Sequence, residues 1–373
     1  MRQFEGLRVA LTGVFAKPGW GAMSARKELE LELEAWGATV EHALTAQTDL
    51  LIVGANPSAP VRRRAHAYQI EMVDHADLRD ELRAGITRQT ALARLRALAM
   101  EEPSDTAWAR ICLVVETWPD LDSVDVAINY VEGYLGDWPH ELRIDRHGWF
   151  SRLTRGQAEP RTRLVRHAEF SFVETDKSEG LAGNPGLGNL AGIWINSSQR
   201  FGNRGLGALL SSPHLSQLTH LSITHCDIGD DGIEVLAKAS TLPGLRELRL
   251  SSLMLGPMSA GSLAASSRLR GVTHLDLSSN LLGDLGARAL AAGTQMRSLR
   301  VLDLSRNHIT DRGAIALAAA PNLGQLERLE LVGTSRDENN DITKRGAEAL
   351  IGSPQMSPAV RAHLRRAFQA LLD

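Results

Sequence analysis

The chain has 373 residues and a formal net charge of -3, which leaves room for two or three domains and excludes a global electrostatic pull toward nucleic acid or an anionic membrane. Its two cysteines, Cys112 and Cys226, are too few for a disulfide framework or a thiolate metal cluster. No stretch approaches the ~18 apolar residues of a membrane span, and no charged start leads into a long apolar run, so a cytoplasmic protein without a membrane partner is expected.

Residues 1–86 are expected to form one domain in the order β-α-β-β-α-β-α. "LRVALTG" is the first strand, and "MSARKELELELEAWG" the first helix, with Leu29, Leu33 and Trp36 on one side and Ser24 as N-cap. "ATVEHAL" and the fully apolar "TDLLIVG" are the next strands. "APVRRRAHAYQ", "IEMV" and "HADLRDELRAG" follow as helix, strand and closing helix. This order predicts a small parallel sheet. The loop after strand one is not a nucleotide cradle. Gly13, Gly19 and Gly21 lack the dinucleotide spacing, and Trp20 stands where a P-loop needs Lys. No cofactor and no small-molecule substrate are expected.

The same segment resembles a BRCT domain, most closely the copy at the end of bacterial NAD-dependent DNA ligases. Leu11-Thr12-Gly13 matches the end of the family's first strand, and "QTDLLIVG" its "KTDxLVxG" word. Trp36 replaces the first Gly of the family's Gly-Gly, and the Trp of its last helix is missing. The resemblance implies a candidate phosphate pocket at Thr12 and Gly13. The Lys that the family places on its second helix is Val61 here, with Arg62, Arg63 and Arg64 following as candidate ligands. The alternative is a triple Arg on a solvated helix face. Ten Lys and Arg against twelve Asp and Glu in residues 1–86 argue against broad DNA binding by charge.

Residues 87–160 read as a mostly helical middle region of no recognised family. "TALARLRALAMEE", "SDTAWARICLVVETW" and "DSVDVAINYVEGYL" are helical, the second capped by Ser104. "ELRIDRHGWFSRL" reads as a hairpin. Arg143, Arg146, Trp149, Arg152 and Arg155 lie in an Arg-rich stretch that is either a candidate nucleic-acid patch or the polar edge of a cap.

Residues 161–373 are dominated by a repeat. Leu221, Leu248, Leu275, Leu302 and Leu329 recur every 27 residues, Ile193 precedes them by 28, and the last copy carries a six-residue insertion within "SRDENND". The pattern L-x-x-L-x-L-x-x-N resembles the leucine-rich repeat family, in its ribonuclease-inhibitor-type subclass. That resemblance implies an α/β solenoid of about six repeats, each a strand and a helix. Asn280, Asn307 and Cys226 hold the turn position, whereas Ser198, Leu253 and Thr334 depart from it and are expected to break the side-chain ladder. A buried structural thiol is expected at Cys226. Ala168, Phe170 and Phe172 suggest a degenerate first repeat, and Val360, Leu364, Phe368 and Leu371 a C-terminal capping helix.

Strand alternation assigns the concave face. The central row is Trp194, Ser222, Arg249, Asp276, Asp303 and Glu330; the row beside it holds His220, Glu247, His274, Val301 and Arg328. Asp276, Asp303 and Glu330 form either an acidic stripe awaiting a basic partner or a cation, or a solvated face eased by Arg249, Arg306 and Arg328. No H-E-x-x-H, G-x-S-x-G or C-x-x-C occurs, and neither His147 nor any other histidine has ligand spacing. No metal and no catalytic residue are therefore expected. The expected function is a non-catalytic interaction scaffold, with protein partners on the concave face and a second macromolecule on the head. The alternatives are a nucleic-acid binder acting through the head and the Arg-rich stretch, and an inhibitor of a basic enzyme.

Overall fold

The computed structural model describes residues 4–15, 25–35, 37–75, 88–116, 118, 123–145, 160–171, 180–196, 200–333 and 340–373. They divide into two compact units, one with the described residues up to 145 and 160–165, the other with those from 166 to 373. The described parts of the expected head and middle regions thus share one unit.

The first unit holds a four-stranded parallel sheet in the order β2-β1-β3-β4, with β1 at Arg8–Thr12, β2 at Thr39–Glu41, β3 at Leu50–Val53 and β4 at Glu71–Asp74. The sequence of β3 explains its place. Leu50 and Ile52 enter one apolar cluster with Leu29 and Leu33 of α1 (Ala25–Ala35), while Leu51 enters another with Ala65 of α2 (Ala59–Ala67) and Ile70. An apolar side chain at every position is what a strand covered on both faces requires. Ser24, Trp36 and the closing helix expected from residue 75 lie wholly or almost wholly outside the described residues.

Three helices follow in this unit: α3 (Arg88–Ala99), α4 (Asp105–Glu116) and α5 (Val124–Glu132). Ser104 caps α4, its Oγ accepting from the Ala107 amide at 3.2 Å. Trp108, Trp118 and Trp138 are buried, and each indole N–H donates: to Ile144 O, Ser123 Oγ and Ala99 O. The hairpin expected over 141–153 is not formed at its start, because Glu141 and Leu142 belong to a 3-10 turn, His140–Leu142. That turn directs Arg143 into the interior; the rest of the stretch, beyond Asp145, lies outside the described residues.

The second unit holds a seven-stranded parallel sheet in sequential order: β5 His167–Ser171, β6 Gly192–Asn196, β7 His220–Thr224, β8 Glu247–Arg249, β9 His274–Asp276, β10 Val301–Asp303 and β11 Arg328–Glu330. Ala168, Ile193, Leu221, Leu248, Leu275, Leu302 and Leu329 stand in register across it. The helices between strands are α6 (Gly202–Leu210), α7 (Asp230–Lys238), α8 (Pro257–Ala265), α9 (Gly283–Ala292) and α10 (Asp311–Ala318), and α11 (Lys344–Gly352) follows β11. The cap, α12 (Pro358–Ala367), buries Val360 and Leu364 and packs against β11. The helix stops at Phe368, whose φ of -98° and ψ of 12° leave the helical range, and a short α13 (Gln369–Leu372) follows. Leu371 is consequently 43% exposed rather than on the buried stripe expected of it.

Two side-chain ladders tie each repeat to the next. In the first, Asn280 is 2% exposed and its side chain makes five hydrogen bonds. Its Oδ1 accepts from the Leu253 and Leu255 amides of the preceding repeat, and its Nδ2 donates to Leu250 O, Leu277 O and Ser278 O. Asn307 repeats the motif toward Leu277 O and the Leu282 amide. The break expected at Thr334 does not occur. The insertion precedes the turn position, and Asn340 fills it, accepting from the Asn307 and Ile309 amides at 2.8 and 3.0 Å and donating to Leu304 O and Leu331 O. Cys226 is buried, its thiol 3.3 Å from Thr224 O.

In the second ladder, a helix's opening carboxylate caps the following helix. Asp230 accepts from the Gly256 and Ser259 amides, Asp284 from those of Thr310 and Gly313, and Asp311 from those of Thr343 and Gly346. For Asp284 burial pushes the carboxyl pKa up, but the bonds from Thr310 and Gly313 outweigh it and hold it below its ordinary value. Pro257 stands at the equivalent position of α8 and supplies no carboxylate.

Candidate functional site

The concave face of the second unit carries rows of in-register, mostly polar side chains. Trp194, Ser222, Arg249, Asp276, Asp303 and Glu330 align across β6 to β11, as strand alternation predicts. Beside them run His167, Gly192, His220, Glu247, His274, Val301 and Arg328.

The two ends of this face differ. At the β5 end the rings of His167, Trp194 and His220 cluster, with centroids 4.9 Å apart for His167–Trp194 and 5.5 Å for His167–His220. Gly192 is required here, because a Cβ would collide with the His167 ring. Thr219 and Thr273 orient the imidazoles of His220 and His274 through Nδ1, at 2.8 and 2.9 Å. His220 Nε2 lies 3.5 Å from Glu247, and Arg249 pairs with Glu247 at 2.6 Å. Arg249 therefore serves its own strand's carboxylate instead of easing Asp276.

The β11 end is acidic. Glu330 is paired with Arg328 and with His363 of α12, the latter at 3.0 Å; burial raises its pKa, and these bonds more than reverse the effect. Asp276 and Asp303 have no ion-pair partner among the described residues. Each accepts the amide two residues on, Ser278 and Ser305, at 2.8 Å. Burial pushes the Asp303 pKa up, opposed by the Ser305 bonds and reinforced by the charges of Asp276 and Glu330. The ionised Asp303 thus opposes folding. Its penalty is absent at pH below the unfolded carboxylate range, grows as pH rises through that range, and is complete above the raised folded pKa. Asp303→Asn, whose Oδ1 still serves Ser305, is expected to raise stability at pH 7 by about 0.5 kcal/mol, with the gain vanishing near pH 3. Urea unfolding at both pH values checks this; a loss at pH 7 would sink it.

The other sequence candidates are placed differently. Arg143 is 2% exposed, donates to Leu164 O at 2.9 Å and pairs with Glu132, so it contributes nothing to a surface patch. Arg146, Trp149, Arg152 and Arg155 lie outside the described residues. Thr12 is buried, and its hydroxyl accepts from the Ser58 amide at the start of α2, at 3.4 Å. Gly13 has a φ of +101°, and a Cβ there would lie 2.8 Å from Gly54 O and Ala55 O, so only glycine fits. Arg62, Arg63 and Arg64 are exposed on α2, and no hydrogen bond among the described residues joins them to Thr12. Sequence reasoning missed His167 and His363 as parts of the concave face. The Arg249–Glu247 pair went unread, although residues two apart share a strand face, whereas Arg328 beside the acidic row was expected.

No group of three or more His, Cys, Asp or Glu among the described residues could hold a metal ion, and no described helix is long and apolar enough to cross a membrane. A Leucine Rich repeat family model matches residues 214–237, 271–291 and 295–318. No curated protein matches the chain. Among solved structures, human 5T4 (Wnt-activated inhibitory factor 1, trophoblast glycoprotein) is 24% identical, over 52% of this chain and 68% of that one, with a TM-score of 0.37. A chain of the yeast Rad7 and Elc1 complex is 16% identical, over 76% and 84%, with a TM-score of 0.31. The tropomodulin C-terminal domain of Caenorhabditis elegans is 15% identical, over 60% and 98%, with a TM-score of 0.26. The period, the parallel ladder and the matched segments together make the second unit a leucine-rich-repeat solenoid with a strand and a helix per repeat.

Proposed function

We propose that this chain is a non-catalytic interaction scaffold whose concave repeat face binds a protein with a basic segment. The observation that supports it best is the in-register row Asp276, Asp303 and Glu330. Asp303 keeps a half-buried carboxylate between two others, bonded to Ser305 but without a cation among the described residues, and a cationic side chain laid along the row would relieve that repulsion. Trp194 at the other end supplies a rigid, half-buried aromatic of the kind that anchors interfaces. The BRCT-like head, by its words at Thr12-Gly13 and residues 47–54, is proposed as the module for a second macromolecule, with Arg62, Arg63 and Arg64 as anion ligands. No observation favours nucleic acid as the partner of the middle region, where Arg143 faces inward.

The test uses the full chain as bait, with nuclease present, beside the triple variant Asp276→Lys, Asp303→Lys, Glu330→Lys. Proteins captured by the wild type and lost with the variant, and released as salt rises, are the expected result. Identical captured sets, or capture only without nuclease, overturn the proposal.

A further inference from the structure

The edge on which each repeat leaves its strand for its helix carries a second surface, apart from the concave face. Two positions there repeat with the 27-residue period. The first, at the end of the turn, reads Asp227, Met254, Leu281, His308 in successive repeats; the second, in the first turn of α7 to α10, reads Asp231, Met258, Leu285, Arg312. Both rows run acid, Met, Leu, base. All eight side chains are exposed, and the four apolar ones strongly so: Met254 72%, Met258 71%, Leu281 52% and Leu285 64%.

A lone exposed Leu is ordinary, but four contiguous large apolar side chains between charged ends are not. Two further observations mark the strip. Met254 has a left-handed φ of +56°, which favours Gly or Asn, yet it holds a large apolar side chain out in solvent. Pro257 also removes from α8 the carboxylate that α7, α9 and α10 carry, so that within the apolar part of the strip the helix-opening position keeps a carboxylate only at Asp284, which is tied to the Thr310 and Gly313 amides.

The order of charges selects the occupant. Consider a two-fold axis lying in the contact plane and crossing the strip between α8 and α9. It sets Met258 against Leu285 of a second copy, Met254 against Leu281, Asp231 against Arg312 and Asp227 against His308. Every contact occurs twice, apolar at the centre and flanked by the oppositely charged Asp231 and Arg312 and by Asp227 against the imidazole of His308, which is the self-complementarity an isologous dimer needs. A uniformly acidic or basic rim would repel its own copy. We propose that this chain forms a two-fold dimer through the Met254–Met258–Leu281–Leu285 strip, leaving both concave faces open.

Sedimentation equilibrium of the full chain tests this. The wild type is expected to show a monomer–dimer equilibrium below about 200 µM. Asp231→Lys and Arg312→Glu are each expected to weaken it about tenfold or more, because symmetry reverses two contacts at once. An equal mixture of these two variants should regain the dimer, since each supplies the charge the other needs. Met258→Lys with Leu285→Lys should leave a monomer whose thermal unfolding matches the wild type. A wild type that stays monomeric at 200 µM, a dimer indifferent to the charge reversals, or single variants that fail to recombine overturns the proposal. So does a different protein occupying the strip while the chain itself remains monomeric.

Discussion

Asn280→Ala is expected to destabilise the repeat unit by about 3–5 kcal/mol, at the high end for a single substitution. The truncated side chain abandons the Leu253 and Leu255 amides and three carbonyls, Leu250, Leu277 and Ser278, at a site 2% exposed. Four of these five bonds are buried, so their loss leaves desolvated polar groups, while Ser278 O is part-buried. The preceding repeat supplies a built-in comparison, because Leu253 fills the same position and is buried. That repeat holds Leu without these side-chain bonds, while its own amide is still accepted by Asn280 of the next repeat. Asn280→Leu therefore separates packing from hydrogen bonding and should cost nearly as much as Asn280→Ala. Urea unfolding followed by circular dichroism gives both numbers; an Asn280→Leu protein within 1 kcal/mol of the wild type would refute the ladder as the source of stability.

In the first unit the comparable position is Arg143. Its guanidinium donates to Leu164 O and Leu135 O, pairs with Glu132 and lies 5.9 Å from the Trp108 ring centroid. Arg143→Ala removes these partners from an enclosed site and is expected to cost about 3 kcal/mol. Arg143→Lys restores charge but not the planar fork and should recover less than half. The unfolding of the first unit, read by the fluorescence of its tryptophans, reports the loss. A variant as stable as the wild type would mean that the guanidinium is replaceable by solvent there.

Most of the architecture was legible in the sequence because periodicity is a direct record of packing. An unbroken 27-residue spacing fixes the register of Leu221 through Leu329, and strand alternation then assigns Trp194, Asp276 and Glu330 to one face without further information. The insertion in the last repeat hid Asn340, since nothing in composition says on which side of a turn position extra residues sit. His363 was hidden for a different reason. It reaches Glu330 from α12, and no local pattern links a capping helix to a strand residue 33 positions earlier. Arg143 was misread as surface because arginine is rarely interior; three scattered backbone and side-chain acceptors hold it, and they come together only on folding.

The asparagine ladder has a consequence for how the chain is made. The amides of one repeat's turn are satisfied by the side chain that lies 25 to 33 residues further on: Asn280 for Leu253 and Leu255, Asn340 for Asn307 and Ile309. During synthesis, a repeat that has left the ribosome still lacks its lock until the following turn emerges. Closure therefore trails elongation by about one repeat, and the growing end always presents one unlocked turn with free amides. The packing of α12 on β11 ends that succession, and the last turn locked by an asparagine is that of Asn307 and Ile309, held by Asn340 from beyond the insertion.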